Sequence, residues 1–284
     1  MKKNSKALVT IFVCCVLGFF CFYVLPFLFS LAYALVDNPI SKQFVGLQNF
    51  VAVFQNKYFR LGLRNTLLFM LAGIPLNLAL SLAAALVVNR MKRFRNALCL
   101  VFLIPLVIPS ATTAFFWTNL FAVNGPVNRL LGGSTNWLES PYGMLVILLI
   151  FLWKNIGFNM VLFISGLGDI PPEYYEVAQI SGAKPWQAFT RITLVYLTPT
   201  FFLTFIMSFV NSFRVFKEIY IITGDVPPTG LYVMQHYLNS TFMTLNYQKM
   251  VSAVYILTIG IILLIGVVFK WENRVSRDIR RLSV

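Results

Sequence analysis

Six long apolar stretches limit what this 284-residue chain can fold into. They cover residues 8–35, 61–88, 97–121, 141–168, 192–223 and 248–269. A helix needs roughly 20 mostly apolar residues to cross a hydrocarbon core about 30 Å thick, where no backbone polar group can be left unpaired. With 58% hydrophobic and 11% charged residues, the composition differs from that of soluble domains. We therefore predict an all-α integral membrane protein with six transmembrane helices.

Basic residues indicate how these helices are oriented, because Lys and Arg near membrane ends stay on the cytoplasmic side. If the N-terminus is inside, fourteen of them fall on the cytoplasmic side, beginning with Lys2, Lys3 and Lys6, and six fall outside. Both termini are therefore predicted to be cytoplasmic. These flanking residues and contacts with anionic membrane lipid account for the net charge of +14, so we expect no nucleic acid partner.

The first apolar stretch also resembles a secretory signal, since basic residues precede it and Ala32-Tyr33-Ala34 resembles a cleavage site. A cleavable apolar region has about 7 to 15 residues, however, and this one is considerably longer. We interpret it as an uncleaved first helix. No repeat or linker divides the chain, so residues 1–284 are predicted to form one transmembrane domain.

The connection 169–191 differs from the other loops because it is predicted to form two short helices. A proline pair fits a first helical turn, and Glu173 and Glu176 place negative charge at the positive end of a helix dipole. Gly182 suits the left-handed conformation that ends a helix, and Pro185 can begin the next one. The sequence predicts a helix, a turn and a helix.

These helices need support, because isolated helices shorter than about 12 residues are not stable in water. Tyr174, Tyr175 and Trp186 are large side chains of the kind enriched in protein interfaces. We favour a cytoplasmic docking element for another protein. The alternative is a loop that packs on the membrane helices of its own chain.

The residues of this connection resemble a known family. Glu176, Ala178, Gly182 and Ile192-Thr193-Leu194 are similar to the pattern Glu-Ala-Ala, three residues, Gly, nine residues, Ile-x-Leu-Pro of permease subunits of binding-protein-dependent ABC importers. Four further segments resemble the carbohydrate branch of that family, namely GLQNF at 46–50, LRNTLLF at 63–69, WKNIGFNM at 153–160 and FRVFKEIYIITG at 213–224. Members of this branch handle maltose, other oligosaccharides and glycerol phosphates. Val177, Ser181 and Val195 depart from the pattern.

The resemblance implies the type I permease fold of ABC importers, in the bacterial cytoplasmic membrane, and a set of partners. These are a second homologous permease, a dimer of cytoplasmic ATP-binding subunits, an extracellular solute-binding protein and a carbohydrate substrate. Residues 173–189 would couple the chain to the ATPase, through Glu173, Glu176, Ala178, Gly182 and Ala183. Mg-ATP would bind to the partner, and no cofactor, metal or catalytic residue is expected here, since no phosphate loop, nucleophile elbow or zinc motif occurs.

Polar residues inside the fourth and fifth spans are candidates for the substrate pathway, because such groups are costly in lipid and usually face a cavity or the protein interior. In the fifth span four residues spaced i, i+3, i+4 and i+7 share one helix face. The resemblance implies sugar contacts from Lys154, Asn155, Phe158, Ser208, Asn211, Ser212 and Val215.

Several alternatives remain open from the sequence. The Ser and Asn side chains could bond between helices, and Lys154 could pair with Glu218 or extend towards the interface. Arg214 and Lys217 could line an outer mouth, and the three cations leave an anionic substrate open. An ion-coupled secondary transporter is the second functional hypothesis, and a membrane enzyme is the third.

Overall fold

The computed structural model describes residues 2–38 and 40–282, and it describes side chains for 9–38 and 40–274. Within these residues the chain is helical, apart from turns and one isolated bridge between Val36 and Phe44. The all-α prediction is confirmed. Some basic side chains that entered the orientation count lie outside the described side chains, namely Lys2, Lys3, Lys6, Arg277, Arg280 and Arg281.

The helices are numbered in chain order. The first seven are α1 (Lys2–Phe19), α2 (Leu25–Ala34), α3 (Gln48–Gln55), α4 (Lys57–Arg90), α5 (Arg95–Val107), α6 (Ser110–Leu120) and α7 (Pro126–Leu131). The others are α8 (Gly143–Gly168), α9 (Glu173–Ile180), α10 (Pro185–Ala188), α11 (Leu194–Tyr196), α12 (Thr198–Thr223), α13 (Met234–Met243) and α14 (Tyr247–Leu282). Short π-helical segments, Phe20–Val24 and Phe189–Thr193, join α1 to α2 and α10 to α11.

Five helical segments in the described chain are long and apolar enough to cross a membrane. They are Val9–Ala34, Lys57–Arg90, Gly143–Gly168, Thr198–Thr223 and Tyr247–Arg274. The bent pair of α5 and α6 would make a sixth span if both helices belong to one crossing. The structure thus agrees with the six predicted stretches when this pair is counted once.

The α5–α6 pair differs from the continuous third helix predicted over 97–121. Its two helices meet at 93° across a short break. The break lies at Ile108, whose φ of −68° and ψ of 127° are extended, because the ring of Pro109 disfavours the helical conformation in the preceding residue. The backbone groups freed by the break have to be satisfied within the protein or by water.

The chain consists of two compact units. Unit 1 contains Met1–Arg60 and Tyr237–Ile261, and in it Asn49 Nδ2 donates to the carbonyls of Ala34 and Val36 at 2.9 and 2.8 Å. Unit 2 contains Leu61–His236 and Ile262–Val284. The single domain predicted from the sequence stays a prediction, and the features described next all lie in unit 2.

Helix α8 is the centre of unit 2. Ile147, Ile150 and Phe151 of α8 are at most 1% exposed and share one hydrophobic core with residues of α12 such as Ile219. Helix α5 approaches α8 so closely that a Cβ at Gly157 would overlap the carbonyl of Phe102. Only glycine is compatible with this approach, which brings the α5–α6 break beside α8.

Candidate functional site

A cavity of about 610 Å³ lies where the α5–α6 break meets α8 and α12. The break contributes residues 106–110, so irregular backbone lines a cavity, which is where membrane proteins tolerate it. From α8 and α12 come polar and aromatic side chains, namely Lys154, Asn155, Asn211, Phe213, Arg214, Phe216, Lys217 and Glu218. Amides, charges and aromatic rings in one concave site can orient a polar solute that also has apolar faces.

An ion pair closes one side of this cavity. Lys154 Nζ of α8 donates to Glu218 Oε1 of α12 at 2.8 Å, and the two side chains are 16% and 8% exposed. Ser110 Oγ at the start of α6 donates to the same carboxylate oxygen at 3.0 Å. Removing one member of a buried pair is strongly destabilising, because the other charge is left uncompensated. The pair therefore ties three elements of the site together.

Two amides form a second link between α8 and α12. Asn211 Nδ2 donates to Asn155 Oδ1 at 2.7 Å, and Asn155 Nδ2 donates to the carbonyl of Phe151 at 2.7 Å. Asn155 is buried and Asn211 half-buried, and both line the cavity. The Oδ1 atom of Asn211 accepts no hydrogen bond from the described residues, so it can accept one from a solute hydroxyl.

A separate polar cluster ties α12 to α4 and α8 outside this cavity. Ser208 Oγ accepts from Asn159 Nδ2 at 2.8 Å and from Asn77 Nδ2 at 3.1 Å. Ser208 and Asn77 are completely buried, and Asn159 is 1% exposed. Sequence reasoning missed Asn77, although an amide within an apolar span was an available signal.

The structure divides the seven predicted substrate contacts into two groups. Lys154, Asn155, Asn211 and Val215 line the cavity, whereas Phe158, Ser208 and Ser212 do not. Ser208 bonds between helices, and Ser212 Oγ donates to the carbonyl of Phe209 within its own helix at 2.6 Å. For these two hydroxyls the geometry favours the alternative of bonding within the protein. Substrate contact stays a prediction for all seven.

The connection 169–191 forms the predicted helix, turn and helix as α9 and α10. Gly182 has a φ of +70°, a conformation that costs other residues energy. Its N–H donates to the carbonyl of Gln179 at 3.0 Å, and the N–H of Ala183 donates to that of Ala178 at 2.9 Å. This pair of bonds is the Schellman motif, which satisfies carbonyls at a helix end.

One side of α9 is held by its own chain. Tyr175 and Thr193 share a hydrogen bond of 2.9 Å between their hydroxyl oxygens, and the rings of Tyr174 and Tyr196 lie 5.0 Å apart. Tyr175 also packs against a buried cluster that contains Phe163. The two tyrosines that the sequence suggested as docking side chains thus contact their own protein.

The other side of this helix pair is exposed and apolar. Val177 is 63% exposed, Ile180 87% and Trp186 69%. Glu173, Glu176 and Gly182 are exposed as well, while Ala178 and Ala183 are half-buried. We call Val177, Ile180 and Trp186 the apolar loop face. Packing on the chain's own helices is thus observed for Tyr174 and Tyr175, and docking to another protein stays a prediction.

No group of three or more His, Cys, Asp or Glu side chains in the described part of the chain could hold a metal ion. His236, in α13 and outside the candidate spans, is 2% exposed, and its Nδ1 accepts from the N–H of Val233 at 3.2 Å. Burial lowers the pKa of its imidazole to about 4, because desolvation disfavours the charged form. His236 therefore acts as a neutral, local hydrogen-bond acceptor.

Comparison with known proteins shows the family. The family described as "Binding-protein-dependent transport system inner membrane component" matches residues 77–281. The probable ABC transporter permease protein YesP of Bacillus subtilis is 31% identical over 285 residues, which cover 93% of this chain and 90% of that relative. The trehalose/maltose transport system permease protein MalF of Thermococcus litoralis is 30% identical over 244 residues, covering 84% and 82%.

A solved structure shows the same fold. A chain in the crystal structure of a bacterial ABC transporter involved in the import of the acidic polysaccharide alginate matches with a TM-score of 0.78 and 24% identity. The match covers 98% of this chain and 97% of that one. The arrangement of helices described above is therefore that of ABC importer permeases, as predicted.

Proposed function

The chain belongs to the family of binding-protein-dependent transport system inner membrane components, and from this membership we propose that it is one of two membrane subunits of an ATP-driven ABC importer for a sugar or oligosaccharide. A permease subunit is a transport component and not an enzyme. Family membership favours the importer over an ion-coupled secondary transporter or a membrane enzyme.

The names of the relatives support a carbohydrate as cargo. The name of MalF includes trehalose and maltose. A second relative is the lactose transport system permease protein LacF of Rhizobium radiobacter. It is 26% identical over 256 residues, which cover 85% of this chain and 86% of the relative. The cavity side chains suit such a cargo, because amides can donate to and accept from hydroxyl groups while aromatic rings cover sugar faces. We propose that Lys154, Asn155 and Asn211 contact it.

The apolar loop face supports coupling to a second protein. In this proposal α9 and α10 insert into a cleft of a cytoplasmic ATP-binding subunit, which binds Mg-ATP and forms a dimer. Glu176 faces a basic residue of that subunit, and closure of the dimer moves the loops and favours one state of the pathway. Both termini are cytoplasmic in this arrangement, the second permease completes the pathway, and an extracellular solute-binding protein delivers the cargo.

The observation that carries the proposal is the polar cavity between α8, α12 and the α5–α6 break. Its test uses the complete complex, in which this chain is reconstituted in liposomes with its partner permease, ATP-binding subunits and solute-binding protein. Asn211→Leu is expected to abolish sugar uptake without disturbing assembly, because the cavity loses the amide whose oxygen is open to a solute hydroxyl. Ser134→Ala, a change at an exposed position between α7 and α8, is the control and should leave uptake unchanged.

Coupling is tested by crosslinking in the same complex. Cysteine introduced at Ala178 is expected to crosslink to the ATP-binding subunit, and the yield should change when ATP is bound. Normal uptake by Asn211→Leu would remove this helix face from the pathway. Reaction of the Ala178→Cys thiol with an impermeant reagent from the external side would contradict the cytoplasmic loop.

A further inference from the structure

We propose, building on the proposed import function, that the cargo carries an oxyanion group, such as a carboxylate or sulfate, and that Arg214 and Lys217 bind it. The ligand class is an acidic sugar, not a neutral one. The proposal concerns the same cavity, and it makes two side chains outside the predicted contact set the determinants of specificity.

The charges around the cavity do not balance. Its lining contains the cations Lys154, Arg214 and Lys217 and the single carboxylate of Glu218. Lys154 and Glu218 neutralise each other at 2.8 Å. Arg214 and Lys217 remain, and no acidic side chain in the described residues forms an ion pair with either of them. The cavity wall thus has a net charge of +2.

The depth of these two cations in α12 makes their presence informative. At a rise of 1.5 Å per residue, Arg214 lies about 5 Å and Lys217 about 10 Å from the midpoint of the helix. Both lie inside the candidate span Thr198–Thr223, at least six residues from its end. Charged side chains at this depth face a cavity or a partner and mark solute pathways. Their position within the span sets them apart from the basic residues at membrane ends that determine topology.

Arg214 lies on the face of α12 that lines the cavity. Asn211, Arg214, Val215 and Glu218 are spaced i, i+3, i+4 and i+7, so they share one face. Arg214 lies three residues after Asn211, which is less than one helical turn, and its side chain is exposed. A sugar ring bonded to Asn211 would bring a ring substituent within reach of the guanidinium group.

The chemistry of the two cations matches an oxyanion. A guanidinium group presents paired N–H donors that fit the two oxygens of a carboxylate or sulfate, and an ammonium adds a compact charge. The first residue of α6, Ser110, also lines the cavity, and the N-terminal end of a helix adds partial positive charge. A neutral sugar would leave both cations without a counter-charge at this depth.

The test varies charge on a matched sugar. The complete transporter in liposomes is given maltotriose, 6-O-sulfated maltotriose or trigalacturonate, with uptake measured at pH 7. Wild type is expected to take up at least one acidic probe, and the double variant Arg214→Gln/Lys217→Gln is expected to lose at least tenfold of that uptake while its complex stays assembled. Which acidic probe is transported separates sulfate from carboxylate.

Controls separate the possible failures. Arg129→Gln, which changes an exposed cation outside the cavity, should leave acidic uptake unchanged, and Arg214→Lys should keep more of it than Arg214→Gln. Uptake of maltotriose alone by wild type overturns the acidic cargo but leaves the import function standing. Uptake of no probe counts against the import function as well. Dissociation of the two permeases in the double variant overturns the proposal, since the cations would then pair with the partner.

Discussion

The cavity and the α9–α10 loop differ in whether their side chains have contacts within the chain. In the cavity, Lys154 is bonded to Glu218 and Asn211 to Asn155, so these four polar side chains find partners in the same chain. On the apolar loop face, Ile180 is 87% exposed and contacts no hydrophobic core. Breaking the ion pair of the cavity should therefore lower the stability of the chain, and changes on the loop face should alter association.

The largest effect is expected from Glu218→Leu. It leaves the half-buried Lys154 without a counter-charge, and the cost of about 3–5 kcal/mol for breaking a fully buried pair is the upper limit of the expected loss. The thermal midpoint of the purified complex measures the effect. The double variant Lys154→Met/Glu218→Leu should recover most of the loss, because it removes both charges. A single variant as stable as wild type would show that the pair is not a structural tie.

A smaller loss is expected from Gly157→Ala. The added Cβ would overlap the carbonyl of Phe102, and forcing extra volume between packed helices costs about 1–3 kcal/mol. Gly168→Ala is the matched control on α8, because a Cβ there meets nothing within 4 Å. Equal thermal midpoints for the two variants would contradict the close approach of α5 to α8.

The turn between α9 and α10 tests the other side of the comparison. Gly182→Ala is expected to cost about 1–2 kcal/mol of strain, because a left-handed conformation is unfavourable for alanine, and to weaken ATPase coupling. Gly132→Ala is the control, since Gly132 has a similar φ of +68° and equally open surroundings. Sugar-stimulated ATP hydrolysis should fall in the first variant only. An equal fall in both would mean that strain anywhere has the same effect.

The smallest effect on stability is expected from Trp186→Ala. Trp186 is 69% exposed, and surface substitutions usually change stability by less than about 0.5 kcal/mol. Binding of the ATP-binding subunit should nevertheless weaken, because exposed aromatic side chains dominate interfaces. Leu130→Ala, at an 86% exposed position in α7, should leave that binding unchanged. Retention of full ATPase binding by Trp186→Ala would remove the loop face from the interface.

Several parts of the fold could be predicted because they depend on local sequence. The apolar stretches, the Pro and Gly signals around Gly182 and the polar face of α12 are all periodic or turn patterns. The break in the third stretch also had a local signal in Pro109, which restricts Ile108. That signal was outweighed by the length of the apolar run.

The site was predicted less completely, because its members meet across long separations in the chain. Ser208 is 131 residues from Asn77, and their bond of 3.1 Å depends on how α4 packs against α12. Periodicity identified the face that carries Ser208 but not the helix that this face meets. For that reason a hydroxyl between helices was indistinguishable from one that contacts solute.

The sequence by itself determined that the chain is a helical membrane protein with a short helix pair after α8. Composition, periodicity and turn residues are sufficient for this, because each acts over a few residues. The tertiary structure alone decided which polar groups neutralise each other and which stay open. Lys154 is neutralised by Glu218, while Arg214, on the same helix face as Glu218, has no ion pair with any side chain that the structure describes. The physical reason is that helical spacing fixes a direction, whereas pairing requires two helices to pack within hydrogen-bond distance.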